Sequence, residues 1–98
     1  MYAFEKKKDN NIIISGEITV TDVDKLHSHL ENLIDKNSGG SLVLDLNELR
    51  KLDTSTVQVF VSFKQSMEKR NTEIIIKNPS ARVREVFEVY GLLHYFGC

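Results

Sequence analysis

The stretch "KLDTSTVQVF", residues 51 to 60, sets an acid and three hydroxyl side chains (Asp53, Thr54, Ser55 and Thr56) directly before an apolar run. Two chemistries suit that order. In one, Asp53 caps a helix and the hydroxyls satisfy amides of its first turn, an arrangement worth about 1 kcal/mol. In the other, a first-turn hydroxyl is a position where charge is added and removed. A helix N-terminus offers free N–H groups and a positive dipole end, so it tolerates a phosphate locally. The same phosphate brings about −1.5 to −2 charges to an exposed surface, enough to repel an acidic partner or to change the shape a partner reads.

No catalytic or metal-binding set competes with this cluster in the sequence. His27 and His29 are two residues apart, so on a helix they point about 200° apart and cannot share a metal ion. His94 is isolated, and Cys98 reads as a frayed end. Ser55 has no histidine in a context that suggests a general base for it. Gly39-Gly40 precedes a strand instead of opening a helix, so it is no phosphate cradle. Asp45, Glu48 and Asp53 lie around a strand end, where acids serve as loop and cap formers. The reading is a non-enzyme without metal or cofactor. Small-ligand or nucleotide binding has no motif behind it.

Bulk composition narrows the class further. The 98 residues are expected to form one domain, 1–98, with one core. Thirteen basic and fourteen acidic side chains nearly cancel, which leaves no field to collect nucleic acid or anionic lipid. No apolar run reaches the roughly 18 to 20 residues of a membrane span, so no membrane insertion is expected. "MYAFEKKKDNN" lacks the apolar region of a signal peptide, and a single cysteine suits a reducing cytoplasm.

The elements that position the cluster follow from periodicity. Ile12 to Ile14, bounded by turn formers, read as a buried strand, with "YAFEKKK" as an antiparallel edge strand across the Asp9-Asn10-Asn11 turn. Lysines on that edge discourage pairing with another chain. Val23, Leu26, Leu30, Leu33 and Ile34 mark a helix with Thr21 as N-cap and Asp24 as its box acid, ended by Gly39-Gly40. "SLVLDLNEL" is a strand apolar enough to imply cover on both faces, with Asp45 turned to a polar loop or near the strand's end. Residues 57 to 63 alternate like a strand, but Val57, Phe60, Val61 and Lys64 also make a helical stripe. The length of the run and the helix formers of "KQSMEKR" favour helix. "TEIIIK" is a further strand. Val83, Val86, Phe87 and Tyr90 mark a last helix, with Pro79 suited to its first turn and Gly91 stopping it. Strands alternating with helices give an α/β fold: a mostly parallel four-stranded sheet with an N-terminal antiparallel edge strand and three helices. Loops at the strands' carboxyl ends then share one edge: Thr19-Val20-Thr21, Asp53 to Thr56, and Asn78-Pro79-Ser80.

Three blocks carry a family resemblance. "LVLDLNELRKLDTSTVQVFVSFKQ" resembles the hallmark of the STAS domain, the fold of bacterial anti-sigma-factor antagonists, in which Asp-Ser/Thr-Ser/Thr-Gly opens a helix after an apolar strand. "ISGEITVTDVDKL" and "IIIKNPSARVREVFEVYGL" resemble the flanking blocks, so the likeness spans residues 10 to 93 and agrees with a helix at 57 to 63. The resemblance implies an antagonist that captures an anti-sigma factor, itself a serine/threonine kinase of histidine-kinase-like ATPase fold, with a phosphatase resetting the cycle. By position the phosphoacceptor is Thr54, with Ser55 and Thr56 as secondary candidates, and Thr19, Val20, Thr21 and Asp53 to Thr56 form the partner-binding edge. Thr56 stands where the motif has glycine, and Thr19 where many antagonists carry an aspartate. The chain stops at Cys98, where members usually continue through another helix, which implies an absent or shortened C-terminal helix. These departures also resemble STAS subunits of lipid-transport ABC complexes and of signalling scaffolds, in which the edge would dock without a phosphorylation switch.

Overall fold

The computed structural model describes residues 1–36 and 40–98. Strand β1 (Tyr2–Lys7) turns into β2 (Asn11–Glu17), and a 3₁₀ turn (Val20–Asp22) leads into helix α1 (Val23–Lys36). Strands β3 (Ser41–Asp45) and β4 (Leu49–Lys51) precede helix α2 (Thr54–Glu68), and β5 (Glu73–Lys77) precedes helix α3 (Ala81–Val89). The β1–β2 pair is antiparallel. Its turn places Asp9 and Asn10 at φ of 59° and 58°, a left-handed conformation that these residue types tolerate. The remaining pairs are parallel, giving the order β1-β2-β3-β5 with β4 also on β2.

The sheet is therefore five-stranded among the described residues, one strand more than the sequence implies. "SLVLDLNEL" is two strands. The chain leaves β3 after Asp45, and Leu49–Lys51 moves over to pair with the end of β2. Asp45 is the last residue of β3, where its carboxylate accepts the Asn47 N–H at 3.0 Å and closes the turn. Gly16 permits the crowding at this end of β2. It has φ of +93°, and a Cβ there would lie 2.7 Å from the Met1 carbonyl oxygen.

Cover on both faces of the sheet is not what the strands adopt. Ile12, Ile14, Leu42, Leu44, Ile74 and Ile76 are buried, whereas Ile13 and Val43 are half-buried and Ile75 is 39% exposed. Alternate residues of each strand thus face a single core, and the other face of the sheet is open. The continuous apolar runs reflect β-branched residues that suit a pleated surface, not a second covering layer.

Helix boundaries also shift. Thr19, not Thr21, starts the first helical segment, and its box acid is Asp22, not Asp24. The 3₁₀ turn moves the cap two residues upstream. Gly39 lies outside the described residues, while Gly40 has φ of +78° ahead of β3. Ser80 is the N-cap of α3, accepting the Val83 N–H at 3.2 Å, so Pro79 precedes the cap instead of entering the first turn. No helix among the described residues is long and apolar enough to cross a membrane.

The tail is anchored, not frayed. Phe96 is buried and stacks on Phe87 at 4.7 Å, and the Lys64 ammonium lies 5.2 Å from the Tyr95 ring centroid. Cys98 is half-buried, its N–H bonds to the Leu93 carbonyl at 2.8 Å, and burial pushes its thiol pKa up. Phe96→Ala should therefore cost about 3 kcal/mol, as other buried phenylalanine truncations do. Urea unfolding measures this, and a change near zero would mean that the tail contributes nothing to the core.

Candidate functional site

The carboxyl ends of three strands meet at one edge, held by backbone bonds around residues 46 to 49. The Gly16 N–H donates to Glu48 at 3.0 Å and the Ile18 N–H to Lys51 at 2.9 Å, which sets the chain after β2 beside the chain after β4. The Leu46 N–H donates to Lys77, the Ser80 N–H to Leu46, and the Ser80 hydroxyl to the Leu49 carbonyl at 2.6 Å. The three loops expected to share an edge are thus tied to one corner.

At the head of α2, the residue types divide the work. Asp53 is the N-cap, and its Oδ1 accepts the Thr56 N–H at 3.1 Å and the Thr56 hydroxyl at 3.2 Å. Thr56 is fully buried, so the residue in the motif's glycine position has become part of the cap and core. Ser55 is half-buried. Thr54 is exposed, takes no part in capping, and shares a hydrogen bond with the Tyr90 hydroxyl at the end of α3. Of the three hydroxyls, Thr54 is the one that solvent or a partner reaches most freely.

Sequence reading missed Tyr90 as a site residue, assigning it to the buried stripe of the last helix. Tyr90 is 46% exposed and its neighbour Val89 76%. Together with Leu52, Asp53, Arg82, Glu85 and Val86 they line a groove of about 300 Å³ beside Thr54. The available signal was the position of Val89-Tyr90 against Gly91, whose φ of +68° ends the helix and leaves both side chains at its rim. The contact itself spans 36 residues and has no local signature.

The Thr19 loop is built on a second acid. The Thr19 N–H and hydroxyl reach Asp22 Oδ2 at 3.0 and 3.1 Å, and the Thr19 and Thr21 hydroxyls are 2.9 Å apart. The Thr19 backbone N–H holds the Asp22 carboxyl below its ordinary 3.8, helped by the Thr19 hydroxyl, the N-terminal ammonium and Lys25. Val20, between the two threonines, is 66% exposed. Elsewhere, His27 pairs with Glu31 at 3.3 Å, and His29 bonds the Tyr2 hydroxyl at 3.1 Å beneath Phe4.

The whole arrangement is a polar, hydroxyl-lined edge with exposed valines and a tyrosine beside a groove. Over residues 3–98 the chain matches the STAS domain. It belongs to the STAS-domain family. One relative is the anti-sigma-B factor antagonist of Listeria monocytogenes, 30% identical over 90 residues, covering 89% of this chain and 78% of that protein. The solved structure of the anti-sigma factor antagonist SpoIIAA in its unphosphorylated form aligns with a TM-score of 0.75 at 22% identity, covering 94% of this chain and 82% of that one. The Bacillus cell fate determinant SpoIIAA in the phosphorylated form aligns with a TM-score of 0.71 at 21% identity, covering 94% and 85%. At these identities the structural likeness is one of fold.

Two consequences of the STAS edge can be measured. Asp53→Ala should cost about 1 kcal/mol through loss of the cap, while Thr54→Ala should stay within about 0.5 kcal/mol because Thr54 caps nothing. Equal losses in urea unfolding would contradict this division. Asp22 has a depressed folded-state pKa, so its contribution is present above the ordinary 3.8 and is lost as pH falls through the lower folded value. Stability of Asp22→Asn should therefore fall less steeply than wild type across that acid range, and parallel curves would remove Asp22 from the account.

Proposed function

We propose that this protein is a non-enzymatic, cytoplasmic anti-sigma-factor antagonist that binds a kinase-type anti-sigma factor through the Thr19 and Thr54 edge. Phosphorylation of Thr54 releases that partner, and a phosphatase restores binding. The observation that carries the reading is the state of Thr54: exposed, free of capping duty, and hydrogen-bonded to Tyr90 at the rim of the groove. The relatives named above support the antagonist class.

The physical route is short. A phosphate on Thr54 Oγ1 brings about −1.5 to −2 charges beside Asp53 and occupies the oxygen that meets the Tyr90 hydroxyl. The positive end of α2 tolerates that charge, so the fold persists. The surface changes instead, because the Tyr90 hydroxyl then faces a phosphate in place of the Thr54 hydroxyl and the rim of the groove gains an anion. A partner that packs on Val20, Val89 and Tyr90 then meets a charged rim. The chain aligns comparably with the unphosphorylated and phosphorylated forms of SpoIIAA, which suits a switch without refolding.

Binding of wild type and Thr54→Glu to a purified histidine-kinase-like anti-sigma factor tests the reading. The mutant should bind at least about tenfold more weakly, a loss near 1.4 kcal/mol. With ATP, wild type and Ser55→Ala should each acquire one phosphate by mass spectrometry, and Thr54→Val none. Equal binding of wild type and Thr54→Glu, or a transporter ATPase or scaffold protein retained from lysate by both, would replace the switch with constitutive docking through the same edge.

A further inference from the structure

The sheet has two outer edges, and they differ in how they treat a second chain. On β1, Lys6 and Lys7 lie along the strand and Lys8 follows it, a charged guard against edge-to-edge pairing. On the far side, β5 has β3 as its neighbour, and no strand lies beyond it among the described residues. Its sequence, Glu73-Ile74-Ile75-Ile76-Lys77, sets opposite charges at equal distances from Ile75. Neither Glu73 nor Lys77 takes part in an ion pair among the described residues.

Backbone direction decides what this edge offers. The Glu73 N–H donates to Gly40 at 2.8 Å and the Lys77 carbonyl accepts from Leu46 at 3.2 Å, so residues 73, 75 and 77 turn their peptide groups toward β3. By the alternation of a strand, the N–H and C=O groups of Ile74 and Ile76 face the free edge.

We propose that β5 pairs with β5 of a second copy of this chain, antiparallel about a two-fold axis at Ile75. Ile74 then lies opposite Ile76 of the second copy, and the two positions exchange narrow pairs of N–H···O=C bonds on each side of the axis. Glu73 lies opposite Lys77 of the second copy at both ends, and an isologous contact repeats that complementarity by symmetry. Registers centred on Ile74 or Ile76 leave part of the edge unmatched, because Ile76 then lies opposite Thr72, whose N–H is bonded to the Met67 carbonyl, or Ile74 opposite Asn78, beyond the strand. They also set Glu73 or Lys77 against isoleucine, so backbone and charge together select the Ile75 register. Glu73, Ile75 and Lys77 all project on the open face, where Ile75 sits beside Val43. Pairing makes the two Val43–Ile75 strips continuous.

One strand pair is a small interface, so sedimentation velocity from about 10 μM to about 1 mM is the appropriate experiment. The wild-type mass should rise with concentration toward twice the 11.2 kDa monomer. Glu73→Lys and Lys77→Glu should each raise the dissociation constant about tenfold or more by opposing like charges. An equimolar mixture of the two variants should dimerise again, because each supplies the sign the other lacks. Circular dichroism checks folding. Lys77→Glu sets a carboxylate beside Asp45 on β3, so Glu73→Lys carries the test alone if that variant does not fold. A wild type that stays monomeric at the highest concentration, or a dimer indifferent to Glu73→Lys, overturns the proposal. The first result leaves the edge to some other extended segment, and the second assigns dimerisation to a different surface.

Discussion

Leu46 and Leu49 are both fully buried, and between them the chain leaves the neighbourhood of β5 and joins the end of β2 as β4. Each loop of the candidate edge is anchored to that corner. Glu48 and Lys51 accept from Gly16 and Ile18, while Leu46 and Leu49 accept from the backbone and hydroxyl of Ser80. Without the corner, the segment carrying Asp53 would continue along β3, away from the Thr19 loop. The site is therefore a product of non-local backbone pairing. The apolar pair supplies the anchor and the surrounding carbonyls supply the direction, because buried backbone groups must find partners.

The head of α2 then separates stability from accessibility. Asp53 and Thr56 satisfy each other and the first turn, with Thr56 buried. That arrangement leaves Thr54 with no structural task except its contact with Tyr90. A glycine in place of Thr56 would give up the buried hydroxyl contact and leave the capping to Asp53 alone. The departure from the family motif thus adds a contact to the cap, and burial keeps the Thr56 hydroxyl away from solvent. Exposure and capping are assigned to adjacent residues with little conflict between them.

Much of this was legible in the sequence. Periodicity found α1 and α3, and the apolar stripe of Val57 and Phe60 supported α2 over a competing strand pattern. Asp53 read as a cap because short polar side chains before a helical run have few better uses. What escaped had no signal in hydrophobic spacing. β4 is three residues long, and only its pairing with β2 makes it a strand. The one-sided sheet was hidden because Ile13, Val43 and Ile75 look like core residues in any linear reading. Tyr90 joined a helical stripe by spacing, yet it lies at the helix end, where the chain turns and the side chain escapes burial. Each miss concerns contact between distant segments, which hydrophobic spacing alone does not encode.

The near-neutral charge of the chain bears on how any signal at this edge is read. With a formal net charge of −1, the protein has no long-range field to attract or repel a partner, so recognition rests on local shape and polarity. A dianion added at one point would exceed that background. Screening nonetheless confines its effect to about 8 Å at physiological salt. That distance is enough to take in a neighbouring side chain and the adjoining groove. An electrostatic change at Thr54 is thus expected to act through the residues it touches, with Tyr90 first among them.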